Sequence, residues 1–339
     1  MGKKIRVLIV DDSLLFRETL AKKLSEDSGI EVVATAGDAY SARDKIVQFE
    51  PDVMTLDVEM PKMNGIEFLK RLMPQYPLPT VMVSGLDDNV FEALNAGAVD
   101  FVAKLDSSGN RNLDSLINEL AIKIKIASTA KVGHWKKVSS GAIGRVNANK
   151  EFQGHLIAIG ASTGGTEATA QILRNLPKEL PGIVIVQHMP PVFTRMYAER
   201  LNNNSLLAVK EAEHGDRVLP GMAIIAPGDQ HMEVKKVGGI YQIVLFKGEK
   251  VNGHCPSVDV LFDSVAREAG NKALGVILTG MGADGAKGIF EMRSRGAKTL
   301  GQDEESSIVY GMPKVAYEIG GVEKQVSITG MARAICSSV

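Results

Sequence analysis

The chain has two cysteines in 339 residues, Cys255 and Cys336, and they form no C-x-x-C pair. A disulfide framework and a cysteine zinc site are both excluded, and a reducing compartment suits the sequence. No two of its six histidines stand at the i,i+4 spacing of a helical zinc site. Charge of neither sign dominates. The 39 Lys and Arg against 40 Asp and Glu leave a net charge of −1, so the basic excess of a nucleic-acid-binding domain is missing. No apolar run approaches the roughly 20 residues that span a bilayer. The first residues lack a leader pattern, and Arg6 takes the place where an N-myristoyl signal needs Ser or Thr. The expectation is a cytoplasmic protein that neither inserts into a membrane nor binds nucleic acid. Internal repeats and low-complexity tracts are also lacking.

What is present is a succession of apolar runs that empty into polar turns. Hydrophobic residues make up 45%, enough for ordinary cores, and a chain of this length holds about two domains. The most telling run is HLIAIGASTGG, residues 155–165. An unbroken apolar run reads as a strand buried on both faces, as in parallel sheets. The turn after such a strand stands at the carboxyl edge of the sheet, where open α/β folds place their chemistry. Gly160, Ser162 and Gly164 fit the G-x-S-x-G elbow that exposes a nucleophilic hydroxyl.

Two further runs have the same form. GIVIVQHMPP ends at His188, and ALGVILTGMGADG ends in a turn holding Asp284. If the three are parallel neighbours, one sheet edge receives a serine, a histidine and an aspartate. Acyl transfer needs that set, because the hydroxyl attacks only when a base removes its proton, and a carboxylate orients the base. The turn after Ser162 and the GMG turn at 280–282 would offer N–H groups to an oxyanion. The chain order Ser, His, Asp differs from the order in α/β-hydrolases, chymotrypsin and subtilisin, so the elbow motif imports no fold. His214, His231 and His254 compete with His188, and Asp229 and Asp303 with Asp284. Residue pattern leaves these choices open, since each competitor also suits a turn.

The same edge rule organises the first half. IRVLIVDDS ends in Asp11 and Asp12, DVMTLD in Asp57, TVMVSG in Ser84 and VDFVAK in Lys104. Three carboxylates at one edge repel one another and call for a hard cation such as Mg²⁺. Beside that cation and a lysine, a carboxylate can accept a phosphoryl group. Taken alone, DDS would only cap the next helix. That helix is expected over 14–27, from the spacing of Phe16, Leu20 and Leu24, with Gly29 where it stops.

Between the halves, LDSLINELAIKIKIA has the spacing of an amphipathic helix. Residues 121–150 then carry seven Lys or Arg and no Asp or Glu, around the single Trp135; a solvated linker is expected over 128–152. HMEVKKV-GG-IYQIVLF alternates about Gly238 and Gly239 and reads as a β-hairpin, expected to attach to the parallel sheet.

These motifs carry a resemblance. VDDS, LDVEMPKMNG, VSGLDD and AGAVDFVAK resemble the receiver domain of response regulators. GASTGG, QHMPPVFT, IAPGDQHM, HCPSVDVLFDSVA, ILTGMGADGAKG and QDEESSIVYGMP are similar to the esterase half of the CheB family of chemotaxis methylesterases. The resemblance implies an α/β protein: a flavodoxin-like receiver over 1–127, a linker, and over 153–339 a doubly wound, mostly parallel esterase domain with an antiparallel hairpin. It implies Ser162 as nucleophile, His188 as base and Asp284 as orienting acid, with Thr163 and Met281 at the oxyanion hole. In the receiver it implies Asp57 as phospho-acceptor, Asp11, Asp12, Asp57 and the Glu59 carbonyl around Mg²⁺, Ser84 and Phe101 as switch residues, and Lys104 at the phosphoryl group. No cofactor is implied in the esterase site. The implied partners are methyl-accepting chemoreceptors, as substrate at receptor arrays, and a histidine kinase as phosphodonor. The implied activity is hydrolysis of glutamate γ-methyl esters, and deamidation of glutamine, blocked by the receiver until Asp57 is phosphorylated.

Two positions depart from the family. Leu105 stands where a proline usually follows the lysine, so a trans bond is expected there. Gly301 replaces a common alanine. Two other readings compete with the esterase: a response regulator whose second half only binds a partner, and a nucleotide-binding enzyme cradling phosphate at 160–165. Against the second, Ser162 stands where a dinucleotide fingerprint needs its second glycine.

Overall fold

The computed structural model describes residues 3–85, 89–104, 112–133 and 154–339. The chain forms two compact units, residues 1–136 and 137–339. Leu105, Trp135 and most of the expected linker, from residue 134 on, lie outside the described residues.

Strands and helices alternate through the first unit: β1 (Ile5–Val10), α1 (Leu14–Leu24), β2 (Ile30–Ala36), α2 (Ala39–Phe49), β3 (Val53–Asp57), α3 (Gly65–Leu72), β4 (Thr80–Ser84), α4 (Asn89–Asn95), β5 (Asp100–Ala103) and α5 (Leu113–Ala127). Every pairing is parallel, in the order β2-β1-β3-β4-β5. This is the flavodoxin-like order, whose switch point lies between β1 and β3. Asp11 follows β1 and Asp57 ends β3, so the acids meet where such sheets bind ligands. α1 is shorter than its apolar spacing predicts. It ends at Leu24, where the Ser25 N–H closes on the Ala21 carbonyl, and Gly29 belongs to the next turn, held by Asp27 Oδ1.

The second unit runs β6 (Leu156–Ala161), α6 (Gly165–Asn175), β7 (Gly182–Gln187), α7 (Phe193–Asn204), β8 (Ala208–Glu211), β9 (Arg217–Val218), β10 (Met222–Ile225), β11 (His231–Val237), β12 (Ile240–Phe246), α8 (Val258–Ala269), β13 (Ala273–Ile277), α9 (Ala286–Ser294), β14 (Lys298–Gln302), α10 (Met312–Glu318), β15 (Lys324–Val326) and α11 (Ile328–Ser338). Seven strands form one parallel sheet in the order β15-β14-β13-β6-β7-β10-β8. Every residue of β6, β7 and β13 is buried, as two-sided cover requires. On one face Leu156 and Ala158 join Phe262 of α8, Ile289 of α9 and Ile243 of β12 in a core. Alternation sends Ile157 and Ile159, also buried, to the opposite face, where α6 packs against α7 and α11.

β11 and β12 form the expected hairpin around Gly238 and Gly239, both at positive φ. It does not extend the parallel sheet. It pairs with β9 in a separate three-stranded antiparallel sheet, and its apolar face, Met232, Val234 and Ile243, instead covers the core.

Candidate active site

The three motif-bearing strands are neighbours, with β6 between β13 and β7. The chain lays β7 on one side of β6 and returns with β13 on the other, so this is the switch point of the second sheet. At the end of β6 the elbow is closed by two backbone bonds, Ser162 N–H to the Thr279 carbonyl (3.0 Å) and Gly165 N–H to the Ser162 carbonyl (2.7 Å). Gly164 sits at φ 77°, a conformation costly for any residue with a Cβ. The 280–282 turn passes directly over the elbow. A Cβ on Gly280 would stand 2.7 Å from Ser162 Cβ and 2.3 Å from Met312 Sδ, so only glycine allows the approach. Met281 is 44% exposed at this turn, and Thr163 is buried beside Ser162.

His188 directly follows β7. The Gln187 side chain ties His188 and the elbow together, its Nε2 donating to the Ser162 carbonyl (2.9 Å) and the His188 carbonyl (3.3 Å). His188 Nε2 lies 2.8 Å from Asp284 Oδ2. Asp284 is buried, yet its charge is well supported. Oδ1 accepts from Ser257 Oγ (2.7 Å) and Asn252 Nδ2 (2.8 Å), and Oδ2 from the Val258 N–H (2.7 Å) at the start of α8. Burial opposes ionisation, but the bonds from His188, Asn252 and Ser257 outweigh it and hold the carboxyl well below the usual carboxylate range. The positive end of α8 adds to this. An ionised Asp284 makes Nε2 the protonated nitrogen of His188. Nδ1 is buried and makes no hydrogen bond to any described residue, which leaves it as the basic nitrogen. His254 stacks on the same imidazole, ring centres 3.7 Å apart and planes within 10°.

In the first unit, carboxylate oxygens of Asp11, Asp12 and Asp57 lie within 4.8 Å of one another. Lys104 Nζ reaches Asp57 Oδ2 (2.5 Å) and Asp11 Oδ2 (2.9 Å), and the Glu59 N–H points at Asp57 Oδ1 (3.3 Å). Burial, helped by the Asp11 charge and opposed by Lys104, pushes Asp57 up to about 6. Burial works against the Lys104 charge, but Asp57 and Asp11 more than compensate and its pKa rises. Ser84 Oγ is buried and makes no hydrogen bond to any described residue. Phe101 is buried at the start of β5, with Lys123 Nζ 5.0 Å above its ring. Beside the acids opens a cleft of about 730 Å³, lined in part by Asp12, Glu59, Lys70 and Glu92. Three hard oxygen donors, two of them on buried side chains, fit a small divalent cation.

The sequence pattern of the CheB methylesterase family matches residues 157–335, and that of the response regulator receiver domain matches residues 7–114. A protein-glutamate methylesterase/protein-glutamine glutaminase of Syntrophomonas wolfei is 60% identical over 333 residues, 98% of this chain and 97% of that protein. The chain belongs to the CheB methylesterase family. An Escherichia coli family member of the same name is 47% identical over 99% of the chain and 97% of its own length. The crystal structure of the Thermotoga maritima CheB methylesterase catalytic domain, 41% identical, covers 55% of this chain and 98% of itself with a TM-score of 0.54.

Within this CheB-family fold the competing residues occupy other posts. His231 Nε2 donates to the Glu249 carbonyl while Nδ1 accepts from the Ser257 N–H. His214 pairs with the Leu245 backbone, Asp303 accepts from Ser306, and Asp229 occupies a turn at φ 59°. Gly301 packs against Val322, which would stand 2.9 Å from an alanine Cβ; the departure from the family's alanine suits that neighbour. No sequence pattern marks Asn252, Ser257 or Gln187 as part of this site. The Asn252-Gly253 pair is a turn signal and Ser257 the N-cap of α8, but neither pattern points to Asp284, about 30 residues away. No helix among the described residues is long and apolar enough to cross a membrane.

Proposed function

We propose that this chain is a phosphorylation-activated protein-glutamate methylesterase with a glutaminase activity, acting on chemoreceptors through a Ser-His-Asp mechanism. The activity follows the names of its full-length relatives. The observation that carries the mechanism is the His188–Asp284 bond beside the Ser162 elbow, at the ends of adjoining strands. Residues 1–127 serve as receiver, 128–152 as linker and 153–339 as catalytic domain.

Ser162 Oγ attacks the γ-ester carbonyl and its proton passes to Nδ1 of His188. The hydrogen bond between them forms on substrate binding, as catalytic bonds often tighten only in the complex. Asp284 holds Nε2–H and steadies the imidazolium. Main-chain N–H groups of Thr163 and Met281 receive the oxyanion. Protonated His188 then delivers its proton to methoxide, and the acyl-enzyme is hydrolysed by a water that His188 activates. An amide differs only in its leaving group, so glutamine follows the same path.

Asp57 accepts a phosphoryl group from a histidine kinase. Mg²⁺ would be held by Asp11, Asp12, Asp57 and the Glu59 carbonyl, where it offsets the incoming negative charge. Lys104 orients Asp57 and supplies a second positive charge, while Ser84 and Phe101 report the event to the esterase half.

Methanol release from methylated receptor membranes, with and without acetyl phosphate and Mg²⁺, tests this reading. Release stimulated by the donor, and reduced on the order of 10⁶-fold in Ser162→Ala by analogy with triads that act as a unit, is the expected result. No release under either condition would leave a binding module in place of the enzyme.

A further inference from the structure

One tight turn touches both members of the His–Asp pair. Val251 and His254 exchange two backbone hydrogen bonds, each 3.0 Å, around Asn252 (φ 52°) and Gly253 (φ 82°). Positive φ at both central positions is the geometry of a type I′ turn. From its tip, Asn252 Nδ2 donates to Asp284 Oδ1 (2.8 Å) and to Asp259 Oδ2 (2.7 Å). From its exit, His254 lays its ring on His188.

The segment is pinned at each end. Before the turn, the Glu249 carbonyl accepts from His231 Nε2 (2.9 Å). After it, the Cys255 carbonyl accepts the Asp229 N–H (3.3 Å) and the Ser257 N–H donates to His231 Nδ1 (3.3 Å). His254 therefore meets His188 from a braced loop.

Two constraints then act on the His188 ring. The bond to Asp284 fixes the direction of Nε2. A parallel ring at 3.7 Å fixes the plane, since rotation about the Cβ–Cγ bond would drive ring edges into the neighbour. Direction and plane together aim Nδ1 one way. Burial, with the neighbouring His188 second, pushes His254 down to about 4, so near neutral pH its ring carries no charge. A neutral aromatic face over an imidazolium attracts where a second cation would repel.

We propose that His254 is a positioning residue of the esterase reaction, its ring holding the plane of His188 so that Nδ1 stays aimed for proton exchange with the nucleophile. This rests on His188 being the base. The full-length protein acting on p-nitrophenyl acetate provides the test, because a small activated ester needs no receptor docking. His254→Ala is expected to lower kcat about 10- to 100-fold, the scale of a misplaced catalytic group, with KM nearly unchanged. His254→Phe keeps a flat ring and is expected to recover most of the rate. His254→Asn, which lacks the ring but keeps polarity, should behave like His254→Ala and stands in for it if that variant fails to fold.

A wild-type kcat in the ring-less variants would overturn the proposal. So would His254→Phe as slow as His254→Ala, which would mean that a ring nitrogen is used instead of the face. A raised KM with unchanged kcat would make His254 a substrate contact and overturn it as well. Ser162→Ala run alongside keeps the two levels apart. If it retains full hydrolysis, the reading of the whole site falls; if it is inactive while the ring-less variants are not, only the role of His254 falls.

Discussion

Asp284 and Asp259 cap each other's helices. Asp284, just ahead of α9, accepts the Val258 and Asp259 N–H groups of the first turn of α8 (2.7 and 3.3 Å). Asp259, within that turn, accepts the Gly288 N–H in the first turn of α9 (2.7 Å). Each carboxylate faces the positive end of a helix, which offsets part of their repulsion; burial, with the Asp284 charge adding to it, still pushes Asp259 above the usual carboxylate range.

The two caps predict different phenotypes. Asp284→Asn should lower kcat on the order of 10⁴-fold, as the equivalent change does in a serine protease by favouring the wrong tautomer. Asp259→Ala should cost about 0.5–2 kcal/mol, the value of a lost cap, with a much smaller effect on rate. Thermal melts and ester hydrolysis on the same samples decide it. The depressed Asp284 adds a pH signature: its stabilisation is present above the ordinary value near 3.8 and is lost as pH falls below it. The stability gap between wild type and Asp284→Asn should therefore narrow in acid.

Asp57 predicts the opposite sign. Its folded-state pKa is raised to about 6, so its contribution is fully present below the ordinary value near 3.8 and lost as pH rises through about 6. In EDTA, Asp57→Asn should melt higher than wild type above about pH 6, and the two should converge in acid. Mg²⁺ should raise the melting temperature of wild type more at neutral pH than in acid, because the ion favours the charged carboxylate. Equal Mg²⁺ shifts in wild type and Asp57→Asn would remove Asp57 from the cation site.

Gly280→Ala should injure stability and rate together. Its methyl group would strike Met312 and Ser162, an overpacking that costs about 1–3 kcal/mol. Moving the turn off the elbow also displaces the Met281 N–H, the proposed oxyanion donor, and loss of one such donor is worth about 10²–10³ in kcat. A variant that melts lower but keeps wild-type turnover would separate the turn from the oxyanion.

Regulation predicts a gain from deletion. Removing residues 1 to about 150 should raise methanol release from receptor membranes above that of the intact, unphosphorylated protein. A fragment slower than the intact chain would rule out inhibition by the receiver.

The strands that carry these residues were legible because parallel sheets need continuous apolar runs, and LIAIGA, GIVIVQ and ALGVI are such runs. Glycine-rich turns then placed Ser162 and Asp284 at the edge. The choice of histidine was not legible from pattern. His188, His231 and His254 all follow or begin strand-like or turn segments, and what separates them is contact: the first meets Asp284, the second is spent on Glu249 and Ser257, the third lies on the first. The supports of Asp284 were hidden for a related reason. Asn252 and Ser257 sit in a connection with no periodicity, and their bonds to Asp284 span about 30 residues. The hairpin announced its turn and register through its two glycines, but not the sheet it would join, since both faces of a short alternating ribbon offer similar edges.

The strand order also has a consequence in time. β6, in the middle of the three adjoining strands, is the first of them to leave the ribosome, and β7 follows within a few dozen residues. β13 pairs with β6 across more than a hundred residues, so that contact bears the larger loop-closure cost. A growing chain holds Ser162 and His188 well before Asp284, about a hundred residues further on, has been translated. On the proposed mechanism the enzyme is thus born without its acid, and hydrolytic competence waits for Asp284.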